Sequence, residues 1–145
     1  DPLKKNIEKF RDQYNLFVVF MSAFFYYLYA LTLLYNFGLT FSMTTFLIPA
    51  YALLMVFSGQ LIKKAKRNYF IGIRTPWTLA SDVVWDRTHR FGGTVFQAAG
   101  LLCLPGMLFP PVAFLWMMVA ILGAALLVVV YSYLVFRQEE KKTGG

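Results

Sequence analysis

From Gln13 to Ile62 the sequence contains no Asp, Glu, Lys or Arg. Charge is scarce throughout: 14% of the 145 residues are charged, against 59% hydrophobic, and the mean hydropathy is +0.57. No small soluble domain has a core that could hide such a run, which excludes a water-soluble fold. A single cysteine, Cys103, and a single histidine, His89, rule out an internal disulfide and a Cys–His metal set, so no metal and no cofactor is expected. Acidic residues number only 7 against 14 basic ones, a net charge of +7. In so apolar a chain that excess marks the cytoplasmic side of a membrane protein, and no nucleic-acid partner is expected. The first apolar run is too long for a cleavable signal peptide and lacks a small-residue cleavage site. A start at Asp1 instead of Met is expected of a processed product, an engineered fragment or the tail of a longer chain.

What is present is a set of long apolar runs. A helix needs roughly 20 apolar residues to cross about 30 Å of hydrocarbon. Four stretches qualify: 16–36, 43–62, 93–109 and 112–136. Pro105 is placed to kink or stop the outer end of the third. Phe37–Ser42 and Pro110–Pro111 read as tight turns, so the fold class is all-α, a polytopic membrane protein with four transmembrane helices in two hairpins. The 16–136 membrane domain is expected to be flanked by two short segments. In 1–15, Leu3, Ile7, Phe10 and Tyr14 recur at helical spacing behind a cap at Asp1 and Pro2, as an amphipathic interfacial helix or a linker. The polar 137–145 reads as a disordered tail.

All 14 Lys and Arg residues fall before the first span, between the second and third, or after the fourth, and none falls in the two turns. The positive-inside bias therefore predicts both termini and the central 63–92 loop in the cytoplasm, with the lipid bilayer as the main partner. The predicted spans contain no ionisable residue of the kind that marks ion or proton relays. Gln97 reads as interhelical glue, and Tyr26, Tyr27 and Tyr29 as groups needing partners in the bundle or a wet pocket. Gly93 and Gly100 share a face suited to close helix approach, and Ala120 and Ala124 form a second small stripe.

Residue choice is most distinctive in the loop, KKAKRNYFIGIRTPWTLASDVVWDRTHRFGG over 63–93. Lys63, Lys64, Lys66 and Arg67 suit anchoring at anionic headgroups. Gly72 permits unusual backbone angles, and Pro76 after Thr75 suits a first helical position. Ser81 is a cap for a helix beginning at Asp82, on which Asp86 and Arg90 are spaced to pair. Ser81 or Thr88, His89, and Asp82 or Asp86 are the residue types of a hydrolase, but no element presents a serine and the spacing assembles no triad. No catalytic residue is assigned. A recognition or packing role for Arg74, Trp77, Trp85, His89 and Arg90 fits better.

Asn68, then Ile71-Gly72-Ile73-Arg74-Thr75-Pro76-Trp77-Thr78-Leu79, then Trp85 and Thr88-His89-Arg90 before Gly92, resembles the signature loop of the SdpI family of bacterial integral membrane proteins. The resemblance implies a protein of the bacterial cytoplasmic membrane that gives immunity to a secreted, membrane-active killing peptide. It also implies signal transduction, in which toxin binding draws a cytoplasmic repressor to the membrane. The motif residues Asn68, Gly72, Arg74, Thr75, Pro76, Trp77, Thr78, Trp85, Thr88, His89 and Arg90 would then form a cytoplasmic recognition surface. Two rival readings remain at this stage: a small-molecule or lipid transporter with the tyrosines and Gln97 lining a passage, and a membrane enzyme using His89 and Asp86. The oligomeric state is not readable from the sequence.

Overall fold

The computed structural model describes residues 5–143. Among these described residues six α-helices follow one another: α1 (Lys5–Glu8), α2 (Arg11–Asn36), α3 (Met43–Lys64), α4 (Pro76–Ala80), α5 (Asp82–Cys103) and α6 (Ala113–Thr143). Two 3₁₀ turns, Leu104–Leu108 and Pro110–Val112, lie between α5 and α6. Among the described residues there is no strand. Four helical segments are long and apolar enough to cross a bilayer: α2, α3, α5 with its 3₁₀ extension, and the α6 segment. The fold is an all-α, four-span membrane bundle.

The connections follow local chemistry. Gly38 takes φ +90° in the turn after α2, and Ser42 caps α3 by accepting from the Thr45 amide. α5 gives way to a 3₁₀ turn at Leu104, because Pro105 has no amide hydrogen with which to continue the α-helix. Ser81 accepts from the Val84 amide and caps α5, as its spacing predicts.

α3 and α5 form the most extensive interface, α6 lies against α5, and α2 packs chiefly on α3. Two glycines make the central crossing. A Cβ on Gly59 would stand 2.5 Å from the Gly93 carbonyl oxygen, and one on Gly93 would stand 2.5 Å from the Gly59 carbonyl oxygen. Backbone meets backbone here, the arrangement that helix association without a hydrophobic driving force favours. Gly100 extends the contact against Ala52 and Met55, and Ala124 packs with Met55 and Ala99.

The ends differ from the sequence reading. The polar 137–143 stretch, expected to be disordered, continues α6 as far as Thr143. Glu139 holds it, bridging Arg87 of α5 at 3.2 Å and Lys142 one turn on at 3.0 Å. Terminal lysines also oppose the negative end of the helix dipole. At the other end, Asp1, Pro2 and Leu3 lie outside the described residues. Ile7 and Phe10 turn toward the protein: Phe10 is buried with Leu61, Ala65 and Trp85, and the partly buried Ile7 packs on that cluster. The Asn6 side chain donates to the Arg67 carbonyl at 2.9 Å.

The mid-span tyrosines divide between the bundle and the outer surface of α2. Tyr26 and Tyr29 are 76% and 62% exposed on the outer side of α2, which one neighbouring helix cannot cover. Among the described residues Tyr27 alone of the three has a hydrogen bond, to the Phe46 carbonyl at 3.0 Å.

Candidate functional site

The loop between α3 and the apolar part of α5 is built from internal hydrogen bonds. Asn68 is fully buried. Its Oδ1 accepts from the Phe70 and Ile71 amides at 2.8 and 2.7 Å, and its Nδ2 donates to the Lys66 and Ile71 carbonyls at 2.7 and 3.0 Å. That uses both donors and both lone pairs of the amide, leaving nothing for a ligand. Gly72 follows with φ +120°, a conformation L residues avoid, and a Cβ there would collide with His89 Nε2.

His89 is 1% exposed and lies under this turn. The Ile73 amide can only donate, so Nε2, at 2.9 Å, is the acceptor. The Trp85 carbonyl can only accept, so Nδ1, also at 2.9 Å, carries the proton. The network thus assigns a neutral ring with both nitrogens engaged. Trp85 stacks on it with centroids 3.8 Å apart and sends its indole N–H to the Ala65 carbonyl at 2.8 Å. One tryptophan therefore ties α5 to the end of α3.

A second tie runs to α6. Thr75 caps α4 in a reciprocal arrangement with Thr78, and Pro76 occupies the first turn. Thr78, fully buried, donates to the Ile73 carbonyl at 2.8 Å and closes the turn on itself. Trp77 leaves α4 sideways, donates to Ser132 Oγ at 2.5 Å and rests against Tyr133 and Phe136. Ser132 had no signal in the sequence, since a lone serine in an apolar span is usually bonded to its own helix.

The basic cluster is redistributed. Lys63 turns inward over Gly93, and its ammonium meets Gln97 Oε1 at 2.5 Å, while Gln97 Nε2 donates to the Val56 carbonyl at 3.4 Å. Arg67 Nε stands 2.8 Å from Asp82 Oδ1, and its Nη1 donates to the Leu79 carbonyl at 3.0 Å. Lys66 stands 3.4 Å from Asp86. That pair replaces the expected Asp86–Arg90 pair, because the end of α3 passes beside Asp86 whereas Arg90 points outward. Of the four anchoring candidates, Lys63, Lys66 and Arg67 are engaged with the protein, and Lys64 and Lys66 are exposed.

The motif thus divides in two. Asn68, Thr78, Trp85, Thr88 and His89 are buried and shape the loop. Arg74 and Pro76 are exposed, with Arg74 Nη1 donating to the Tyr69 carbonyl at 2.6 Å. Beside them Tyr69 and Phe70, which the motif reading passed over, are 46% and 66% exposed. Two aromatic rings next to a guanidinium give the loop an outer face able to hold a partner by stacking and charge.

Neither rival reading gains a site from these residues. His89 has no free nitrogen to take a proton, and Asp86 is directed at Lys66. Gln97 is tied between Lys63 and α3, whereas Tyr26 and Tyr29 line an open groove along α2 with Ser22 and Phe25, to which Gln97 does not contribute.

The Immunity protein SdpI of Bacillus subtilis (strain 168) is 29% identical to this chain over 82 residues, which cover 57% of this chain and 40% of that protein. The likeness therefore spans less than half the length of the relative. No solved structure matches. Residues 64–133 match the SdpI/YfhL protein family. That stretch begins at the last residue of α3, takes in the whole stapled loop and ends beyond Ser132 on α6. Over that stretch this multi-pass membrane protein is similar to the SdpI/YfhL family.

Proposed function

We propose that this protein gives a bacterial cell immunity to a membrane-active killing peptide, and that it reports the peptide through its loop. Both termini and the loop would face the cytoplasm, with the two hairpin turns outside, following the distribution of the 14 basic residues. The similarity to an immunity protein supports the first part. The observation that carries the second is the double fastening of the loop, by Trp85 to the end of α3 and by Trp77 to α6. A peptide that prefers one packing of the hairpins would change how Tyr69, Phe70 and Arg74 are displayed to a cytoplasmic repressor. It can do so only to the extent that it binds the two packings differently.

The test is expression in a sensitive bacterium challenged with a membrane-active killing peptide. Wild type should survive, and Arg74→Ala should lose the response while remaining in the membrane at wild-type level. Absence of protection by wild type would reject the immunity reading. Full function in Arg74→Ala together with Phe70→Ala would reject the loop as the reporting surface. Reporter fusions after Leu39 and after Asn68 test the orientation, and cytoplasmic signal at both points would refute it.

A further inference from the structure

Between α5 and α6, at the basic end of the bundle, lies a groove of about 410 Å³ lined by Arg87, Arg90, Phe91, Thr94 and Tyr131. Its levels are set by contacts across the two helices. Arg87 stands opposite Gln138 and Glu139, at 3.3 and 3.2 Å, beyond the end of the apolar part of α6. Phe91 stacks on Tyr131 with centroids 4.0 Å apart, inside the apolar part. Gln138 and Tyr131 are two turns apart, about 10 Å along a helix. The groove thus passes from a charged level to an apolar one over the depth at which a lipid headgroup becomes an acyl chain.

Charge at the upper level is unbalanced. Arg90 is exposed and makes no ion pair among the described residues. The nearby carboxylates are already engaged, Glu139 by Arg87 and Lys142, and Asp86 by Lys66. At the lower level the Thr94 hydroxyl is used on the Arg90 carbonyl at 3.2 Å, which leaves the wall apolar.

We propose that this groove is a binding site for an anionic glycerophospholipid, with the phosphate on the Arg90 guanidinium and an acyl chain along Phe91 and Tyr131. Guanidinium forks match phosphate oxygens, and basic pockets between spans on the cytoplasmic side suit anionic headgroups. A soluble anion would gain from the arginine but not from the aromatic floor, so the bilayer is the source the groove fits. The site is separate from the exposed face of the loop and does not depend on peptide immunity.

The experiment measures binding of phosphatidylglycerol and of phosphatidylcholine to the purified full chain in neutral detergent, by native mass spectrometry. Phosphatidylglycerol should bind at least tenfold more tightly than phosphatidylcholine. Arg90→Gln should lower that affinity about five- to tenfold, as expected for one basic group worth about 1 kcal/mol at a membrane surface. Lys5→Gln, the same change of charge at another exposed position, should leave it within twofold, and Arg90→Lys should retain most of it. Equal losses in Arg90→Gln and Lys5→Gln would reduce the effect to general attraction and overturn the site. So would displacement of the lipid by millimolar inorganic phosphate, or equal affinity for the two lipids.

Discussion

His89 and Trp85, one turn apart on α5, stack with their ring centroids 3.8 Å apart, and the imidazole bridges the Trp85 carbonyl and the Ile73 amide. The histidine works as a two-ended hydrogen-bond spacer between a helix and the loop folded over it. A cationic ring would set one N–H against another at Ile73.

His89→Phe keeps a ring against Trp85 but leaves the buried Ile73 amide without an acceptor. It should cost about 2 kcal/mol of stability. Thermal unfolding in detergent checks it, and an unchanged midpoint would contradict the assigned bridge.

Gly72→Ala should be more damaging than its size suggests, because φ +120° and His89 Nε2 both oppose a Cβ. A loss of about 2 kcal/mol or more is expected. Gly123, around which a Cβ meets nothing within 4 Å, is the control, and Ala there should be neutral or slightly stabilising.

Much of this architecture is legible in the residue order, for definite reasons. The absence of charge from Gln13 to Ile62 leaves the solvent little choice, and Ser81, Thr75 and Pro76 announce helix starts through their own local chemistry. The spacing of Gly93 and Gly100 points to a close interface, although it does not name α3 as the partner. What escapes is nonlocal. Nothing near Lys63 says that its ammonium turns toward Gln97 34 positions on, since the cause is room opened by a glycine on another helix. Nor does anything near Trp77 point to Ser132, 55 positions on. The polar tail is misread because its helicity depends on Arg87 reaching Glu139 from α5. Of the motif, the residue types mark a composed loop, but only burial separates Asn68 and His89, which build it, from Arg74, which it presents.

The link from Trp77 to Ser132 can be isolated by a double-mutant cycle. Trp77→Phe and Ser132→Ala should each destabilise, and the double variant should lose about 1 kcal/mol less than their sum. Strict additivity would mean that α4 is held to α6 by ring contacts with Tyr133 and Phe136 alone.

Thr88 is fully buried, and its hydroxyl has no hydrogen-bond partner among the described residues. Thr88→Val, similar in shape and without the unpaired group, should raise stability by about 1 kcal/mol or leave it unchanged. A fall in the unfolding midpoint would reveal a hydrogen bond at that hydroxyl.

The backbone crossing at Gly59 and Gly93 joins the two hairpins independently of the peptide chain between them. A proteolytic nick at the exposed Tyr69–Phe70 bond would accordingly yield two fragments that stay assembled in the bilayer and co-purify. Two separately synthesised halves should likewise find each other after insertion, as a split protein does.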